Sequence, residues 1–215
     1  MPHDHGEHSH SGLSPSGHPY REDQDMPLTY WQNMEIALRE LLIEKGVTTE
    51  REVMETIDKM DSRSPADGAR VVARSWVDPV FRARLLQDAS AASLEMGFDI
   101  GALKLIAVQN TMDVHNVIVC TLCSCYPRNL LGCPPDWYKQ RAYRSRLVKT
   151  PRTVLKEFGL DLPESTRVRV HDSTADMRYI VIPARPDGTE HLSEAELREL
   201  VSRDSMIGVA RARTP

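Results

Sequence analysis

Three cysteines stand at positions 120, 123 and 125, directly behind an apolar, β-branched run, Val114–Cys120 (VHNVIVC). Such a run reads as a buried strand. The segment Val119–Pro127 (VCTLCSCYP) is therefore a tight loop at a strand end, where a rigid scaffold can hold a site. Three sulfurs this close in sequence converge on one point only if the loop closes sharply. Ser124 then lies between two cysteines, and its backbone is forced toward whatever they hold. Sulfur and backbone nitrogen donors favour a transition metal over magnesium or calcium. The fourth and last cysteine, Cys133, lies close by. A disulfide scaffold would spread its cysteines to staple distant segments, whereas clustered cysteines bind metal or do redox chemistry.

The spacing leaves several chemistries open at this point. A structural zinc site would recruit Cys133 as fourth ligand, at a spacing away from the usual paired form. An iron–sulfur cluster wants four thiolates at other spacings. A redox Cys-x-x-Cys would open a helix in a βαβ setting and leaves the third cysteine unexplained. A catalytic or otherwise unusual metal site accommodates all three neighbours.

The rest of the chain narrows the class. Its 215 residues suit one domain with an extension, or two small ones. A net charge of -4 gives no reason to expect nucleic-acid binding. Positions 136–156 do hold seven Lys or Arg against one Asp, but no nucleic-acid module accompanies them, so subunit contacts are the expectation. No run approaches the roughly 18 apolar residues of a membrane span. The N-terminus lacks an apolar signal core, so a cytoplasmic location is expected.

Three segments are expected. Residues 1–25 form a polar tail carrying His3, His5, His8, His10 and His18, and are read as disordered. A solvated tail is the plain reading of those histidines, and weak capture of a transition metal the functional one. Residues 26–97 read as a helical arm, expected to pack on a partner subunit, with packing within its own chain as the plain alternative. Tyr30, Met34, Leu38 and Leu41 share a face, with Gly46 as the stop. Thr49 with Glu52 boxes a second helix, Pro65 opens a third, and Pro79 opens a fourth that runs toward Gly97. Residues 98–215 are the metal-binding catalytic domain, with strands at Leu103–Gln109, Val114–Cys120, Arg167–His171 and Arg178–Pro183. Helices are expected at Pro151–Phe158 and from the Ser193/Glu196 capping box to about Arg203. The fold class is α+β: a helical arm followed by a layered α-β-β-α globular domain. His115 is expected to be a core or interface histidine; His171, Asp172 and Asp176 are read as ordinary strand-end and turn residues.

The segment Cys120–Pro127 (CTLCSCYP) resembles the metal-binding signature of the nitrile hydratase α subunit family. Further blocks carry the resemblance from about residue 65 to 210: Leu131-Gly132 with Pro134–Lys139 (PPDWYK), Tyr143–Arg146 (YRSR), Pro151-Arg152, Met177–Tyr179 (MRY), Arg185-Pro186 with Gly188-Thr189, and Ser205–Val209 (SMIGV). The thiocyanate hydrolase γ subunit, a branch of the same family, is similar in its His-rich N-terminus and in an Arg after Tyr-Pro, here Arg128. Most nitrile hydratases have Trp there. Cys133 stands where Leu or Gln is usual.

The resemblance implies an enzyme, and roles for single residues. Cys120 would be the axial thiolate of a low-spin Co(III). Cys123 and Cys125 would be equatorial sulfurs, oxidised to sulfinate and sulfenate and directly catalytic, with the amides of Ser124 and Cys125 as equatorial nitrogens. Thr121, where iron enzymes usually have Ser, resembles the cobalt type, so iron is the lesser expectation. Thr121, Tyr126, Arg128, Tyr143 and Arg144 would line the pocket or support the ligands, with Arg146 also aimed at the site. The metal would act as a Lewis acid, and the sulfenate oxygen would attack a nitrile carbon or activate water. The implied partners are a β-type subunit supplying arginines, with a third subunit as a further expectation, a cobalt-insertion activator protein, and a small nitrile or thiocyanate. A non-catalytic zinc-binding subunit is the reading from another class.

Overall fold

A computed structural model describes residues 27–215; the His-rich tail at 1–25 lies outside the described residues. The chain divides into two compact units, with the boundary between Ser62 and Arg63.

The first unit is two helices, α1 (Tyr30–Glu44) and α2 (Glu50–Asp61). Each starts at a reciprocal capping box, Thr29 with Gln32 and Thr49 with Glu52, which satisfies orphan N–H groups at the helix start. Gly46 ends the first at φ +66, a conformation that costs glycine little. Neither helix buries a residue. Tyr30, Met34, Leu38 and Leu41, the apolar face expected from the spacing, are all exposed.

The second unit opens with α3 (Pro65–Val77), α4 (Pro79–Gln87) and α5 (Ala89–Glu95). The fourth helix expected from Pro79 to Gly97 is split in two. Asp88 takes an extended backbone and its carboxylate accepts the Ala91 N–H, so it starts a new helix instead of continuing the old one. Strands β1 (Lys104–Gln109) and β2 (Val114–Val119) follow. Four short helices then fill a long crossover: α6 (Arg128–Leu131), α7 (Asp136–Lys139), α8 (Arg141–Leu147) and α9 (Pro151–Glu157). The first three are too short to announce themselves by periodicity. Strands β3 (Arg167–Asp172) and β4 (Met177–Ile182) precede α10 (Glu194–Glu199) and α11 (Arg203–Ile207). The helix expected from Ser193 to about Arg203 is also two helices, because Ser202 and Ser205 cap a fresh start.

The strands form two parallel pairs, β1 with β4 and β2 with β3. The short turn 110–113 carries the chain from the first pair to the second, and the turn 173–176 carries it back. Contacts of β2 with both β1 and β4 stack the pairs on each other, while α4, α5 and α11 cover the first pair and α9 touches β3. The result is the layered α+β arrangement, the two sheets stacked face to face with helices over the first pair and β3 left half-buried to exposed. Val117, Ile118, Val119, Ile180, Val181 and Ile182 form the fully buried centre. Among the described residues no helix is long and apolar enough to cross a membrane.

One close approach locks α11 onto this centre. A Cβ at Gly208 (φ +93) would lie 2.1 Å from the Asn116 carbonyl oxygen and 2.8 Å from Val117 Cα. Both are backbone atoms of β2, which cannot step aside. Gly159 (φ +82) has the same strained conformation but nothing within 4 Å of such a Cβ. Gly208→Ala is therefore expected to destabilise by about 3 kcal/mol or more, from strain plus overpacking. Gly159→Ala should cost only the strain, about 1–2 kcal/mol. Denaturant unfolding of the two variants checks the difference.

Candidate metal centre

The cysteine loop leaves β2 at Cys120 and is pinned on three sides. Parallel register places Val119 beside Asp172, the last residue of β3. The Asp172 carboxylate thereby sits at the loop's start, accepting the Thr121 N–H (2.9 Å) and the Thr121 hydroxyl. The Ser173 N–H donates to the Val119 carbonyl (2.8 Å), extending the pairing to the strand's end. From the crossover, the Tyr138 hydroxyl donates to the Cys125 carbonyl (2.9 Å), and the Arg144 guanidinium to the Thr121 carbonyl (3.3 Å). The Tyr143 hydroxyl donates to the Ile118 carbonyl (2.9 Å), two residues before Cys120. Burial pushes the pKa of Tyr126, Tyr138 and Tyr143 up from the ordinary phenol value, so all three stay neutral phenols and the last two remain donors.

Those constraints bring the three sulfurs together. Among the described residues, the Sγ atoms of Cys120, Cys123 and Cys125 are the group able to hold a metal ion, all within 4.8 Å of one another. Cys123 Sγ lies 3.4 Å from Cys120 Sγ and 3.0 Å from Cys125 Sγ, and the Cys123 N–H points at the Cys120 sulfur (3.3 Å). Cys120 is buried, Cys125 half-buried and Cys123 exposed, so the claw opens outward from a closed floor. Leu122 and Ser124 project at the exposed tip. Crowding divides the thiols. Hydrogen bonds from Cys125 and Cys120 push Cys123 down to about 7. Burial, then sharing a hydrogen with Cys123, pushes Cys125 up to about 12, against the pull of Arg178.

The donor set fits a thiophilic transition ion. Three sulfurs with Ser124 and Cys125 amides between and beside them offer soft and nitrogen donors at one point, and a bound cation would relieve the thiol crowding. Three buried polar atoms around the loop also lack a partner: the Tyr126 hydroxyl, Arg144 Nε and Ser173 Oγ. Unpartnered buried groups are costly, and the chain leaves others of the kind at Ser93, Arg203 and Asp204.

The other expected residues take distinct places. Tyr126 is buried edge-on against Tyr138, with ring centroids 5.2 Å apart, and forms the floor. Arg128 points a guanidinium nitrogen at Cys133 Sγ (3.5 Å). Cys133 stands outside the sulfur group, whereas a four-cysteine zinc site would need it inside. Arg146 does not aim at the loop: it pairs with Glu157 on α9, a nearer and oppositely charged partner. Two roles are not readable from the sequence. Asp172 is the loop's anchor rather than an ordinary strand end, and Arg178 is a cation whose charge favours the Cys125 anion. Only the strand register, which no local pattern shows, could have found the first.

With this geometry in view, comparison with known proteins is direct. A family model described as nitrile hydratase, alpha chain, matches residues 29–210. The high-molecular weight cobalt-containing nitrile hydratase subunit alpha of Rhodococcus rhodochrous is 51% identical over 182 residues, 83% of this chain and 90% of the relative. The thiocyanate hydrolase subunit gamma of Thiobacillus thioparus is 42% identical over 191 residues, 82% of this chain and 78% of that one. The solved structure of a mutant Fe-type nitrile hydratase from Comamonas testosteroni Ni1 superposes with a TM-score of 0.80 at 46% identity, covering 88% of this chain and 94% of that one.

Removing the anchor should loosen the claw without touching a sulfur. Asp172→Ala leaves the Thr121 N–H and hydroxyl without their acceptor, a loss of about 1.5–3 kcal/mol for bonds to a charged group. Faster alkylation of Cys120 in the metal-free chain, read by mass spectrometry, is the expected result.

Proposed function

The chain belongs to the nitrile hydratase α-chain family, a family of enzymes, and on that footing we propose that it is the metal-bearing α-type subunit of a cobalt nitrile hydratase, hydrating a nitrile to the amide. The convergence of three sulfurs at the end of β2 is the observation that carries this reading. Cys120, Cys123 and Cys125, with the amides of Ser124 and Cys125, would hold the ion. Cobalt rather than iron is favoured by Thr121 and by the cobalt-containing relatives, although an Fe-type structure is also close. When bound, the trivalent ion supplies Lewis acidity toward a nitrile nitrogen or water.

The chain's own residues prepare that chemistry. Asp172, Tyr138 and Arg144 hold the loop by its backbone, so the sulfurs are placed before any ligand arrives. Cys123 and Cys125 are the cysteines proposed to carry sulfinate and sulfenate, and the Cys125 oxygen is the group proposed to attack the nitrile carbon or to activate water. Two sulfur oxyacids carry negative charge that needs cations. The Arg178 charge is felt at Cys125 and favours its anion, while Arg128 is turned toward Cys133. A β-type partner is proposed to supply the remaining arginines and to cover the claw's open side. The exposed apolar face of α1 is proposed as the arm that packs on it. A cobalt-insertion activator protein, a third subunit and a cytoplasmic location complete the proposal.

A second reading is favoured by one observation: Arg128 stands where the thiocyanate hydrolase branch has Arg, in a chain 42% identical to such a γ subunit. Thiocyanate would then be the substrate, with carbonyl sulfide and ammonia as products.

The assembled complex tests both readings. Elemental analysis is expected to find cobalt, and the peptide spanning Cys123 and Cys125 to be heavier by about three oxygens, two for a sulfinate and one for a sulfenate. Zinc with unmodified cysteines would overturn the enzyme reading. Turnover of nitriles against thiocyanate separates the two substrates. Cys120→Ala should remove the metal, and full metal content in that variant would show the ligand assignment to be wrong.

A further inference from the structure

Behind the claw, the two strand pairs meet along a buried polar seam that the metal centre does not use. His115 on β2 is buried, and its Nε2 donates to the Gly208 carbonyl (2.7 Å) at the end of α11. A carbonyl only accepts, so in the neutral ring Nδ1 is bare and accepts from the Asn110 amide nitrogen (3.3 Å). That choice orients the Asn110 amide. Its oxygen accepts both the Asn116 backbone N–H (2.7 Å) and the Asn116 side-chain amide (3.0 Å). Asn116 also donates to the Gln109 carbonyl (2.7 Å), and its own oxygen lies 2.8 Å from His171 Nε2. The His171 ring rests on Tyr179 of β4 (5.1 Å). The seam thus touches all four strands and α11, and every donor faces an acceptor. Next along β3 from His171 stands Asp172, the anchor of the cysteine loop.

One proton reverses this order. An imidazolium at His115 carries N–H on both nitrogens, so Nδ1–H would meet the Asn110 amide N–H, donor against donor. Turning the Asn110 amide over would relieve that clash, but would point its nitrogen at the Asn116 N–H. The conflict moves along the seam and is not removed.

We propose that His115 is a positioning residue for the metal centre: as a neutral imidazole it holds, through Asn110 and Asn116, the strand pair that carries the cysteine loop and Asp172, and its protonation unlocks that pair. The inference rests on the cobalt reading above only for what the loop holds. Burial opposes the imidazolium, the Gly208 carbonyl partly favours it, and the charge of Arg211 disfavours it, so the ring's pKa is lowered from its ordinary 6.5. His171, half-buried, is lowered too, by burial and by Arg169 on its own strand. A base lowered in the folded state contributes stability that is full above about 6.5 and is lost as pH falls through the folded value.

The experiment uses the complete cobalt-loaded complex. Hydrogen exchange of the amides in 117–125, corrected for intrinsic rate, is followed from pH 7.5 to 5.5. Wild type is compared with His115→Gln, which keeps one N–H and one acceptor but gains no proton, and with Asn110→Asp, whose carboxylate accepts from an imidazolium. Loop opening is expected to rise about tenfold in wild type, the factor one titrating group carries over one pH unit, and under about twofold in both variants. Should His115→Gln fail to fold, Asn110→Asp makes the test alone. Equal acid opening in wild type and variants, with cobalt present, overturns the proposal. Acid opening confined to wild type in samples without cobalt overturns the cobalt reading and leaves the seam as a lock on the cysteine loop.

Discussion

The pairing of Val119 with Asp172 is the constraint on which the site depends. Two parallel strands that end at the same level leave a carboxylate beside the first residue of the loop, where the Thr121 N–H and hydroxyl need an acceptor. A shift of the register by one residue would turn the Asp172 side chain to the other face of the sheet. The claw would then begin on a free peptide. Parallel pairing also forces a long crossover between β2 and β3, and that crossover supplies the other supports.

Those supports grip the loop by its backbone. Tyr138, Tyr143 and Arg144 donate to carbonyls at Cys125, Ile118 and Thr121, and leave the sulfurs unobstructed. The tyrosines can do this from a buried position because an aromatic layer surrounds them. Trp137 meets Tyr143 at 4.9 Å and Phe158 at 4.7 Å, and Tyr126 meets Tyr138 at 5.2 Å, all edge-on. Such pairs add about 0.5–1.5 kcal/mol each beyond the area they bury. A rigid apolar floor under a polar grip suits a site whose donors must be in place before the ligand arrives.

The polar seam behind the claw follows a different logic. Asn110, His115 and Asn116 are buried between the sheets, and buried polar groups are tolerable only when all are satisfied. The Asn116 side chain is satisfied from three directions at once, by Gln109, Asn110 and His171. An apolar interface would slide at small cost, whereas directional bonds tie one sheet to the other at a single offset. The same fixed offset lets Gly208 press its backbone onto β2.

Much of this molecule is legible in its sequence wherever the cause is local. The Cys-x-x-Cys-x-Cys spacing, the capping boxes at Thr49 and Ser193, the prolines opening α3, α4 and α9, and all four strands depend on neighbours a few residues away. So does the family resemblance, which rests on short ordered blocks. Tertiary structure alone decided what depends on distant partners. It paired Arg146 with Glu157 instead of the loop, set Arg128 on Cys133, and packed α4 and α5 against β1. It also made Asp172 an anchor and His171 a member of the seam. Hydrogen bonds and ion pairs act over about 3 Å, so which of several charged or polar residues meet is set by strand register and helix placement. Neither is written in any short stretch of the chain.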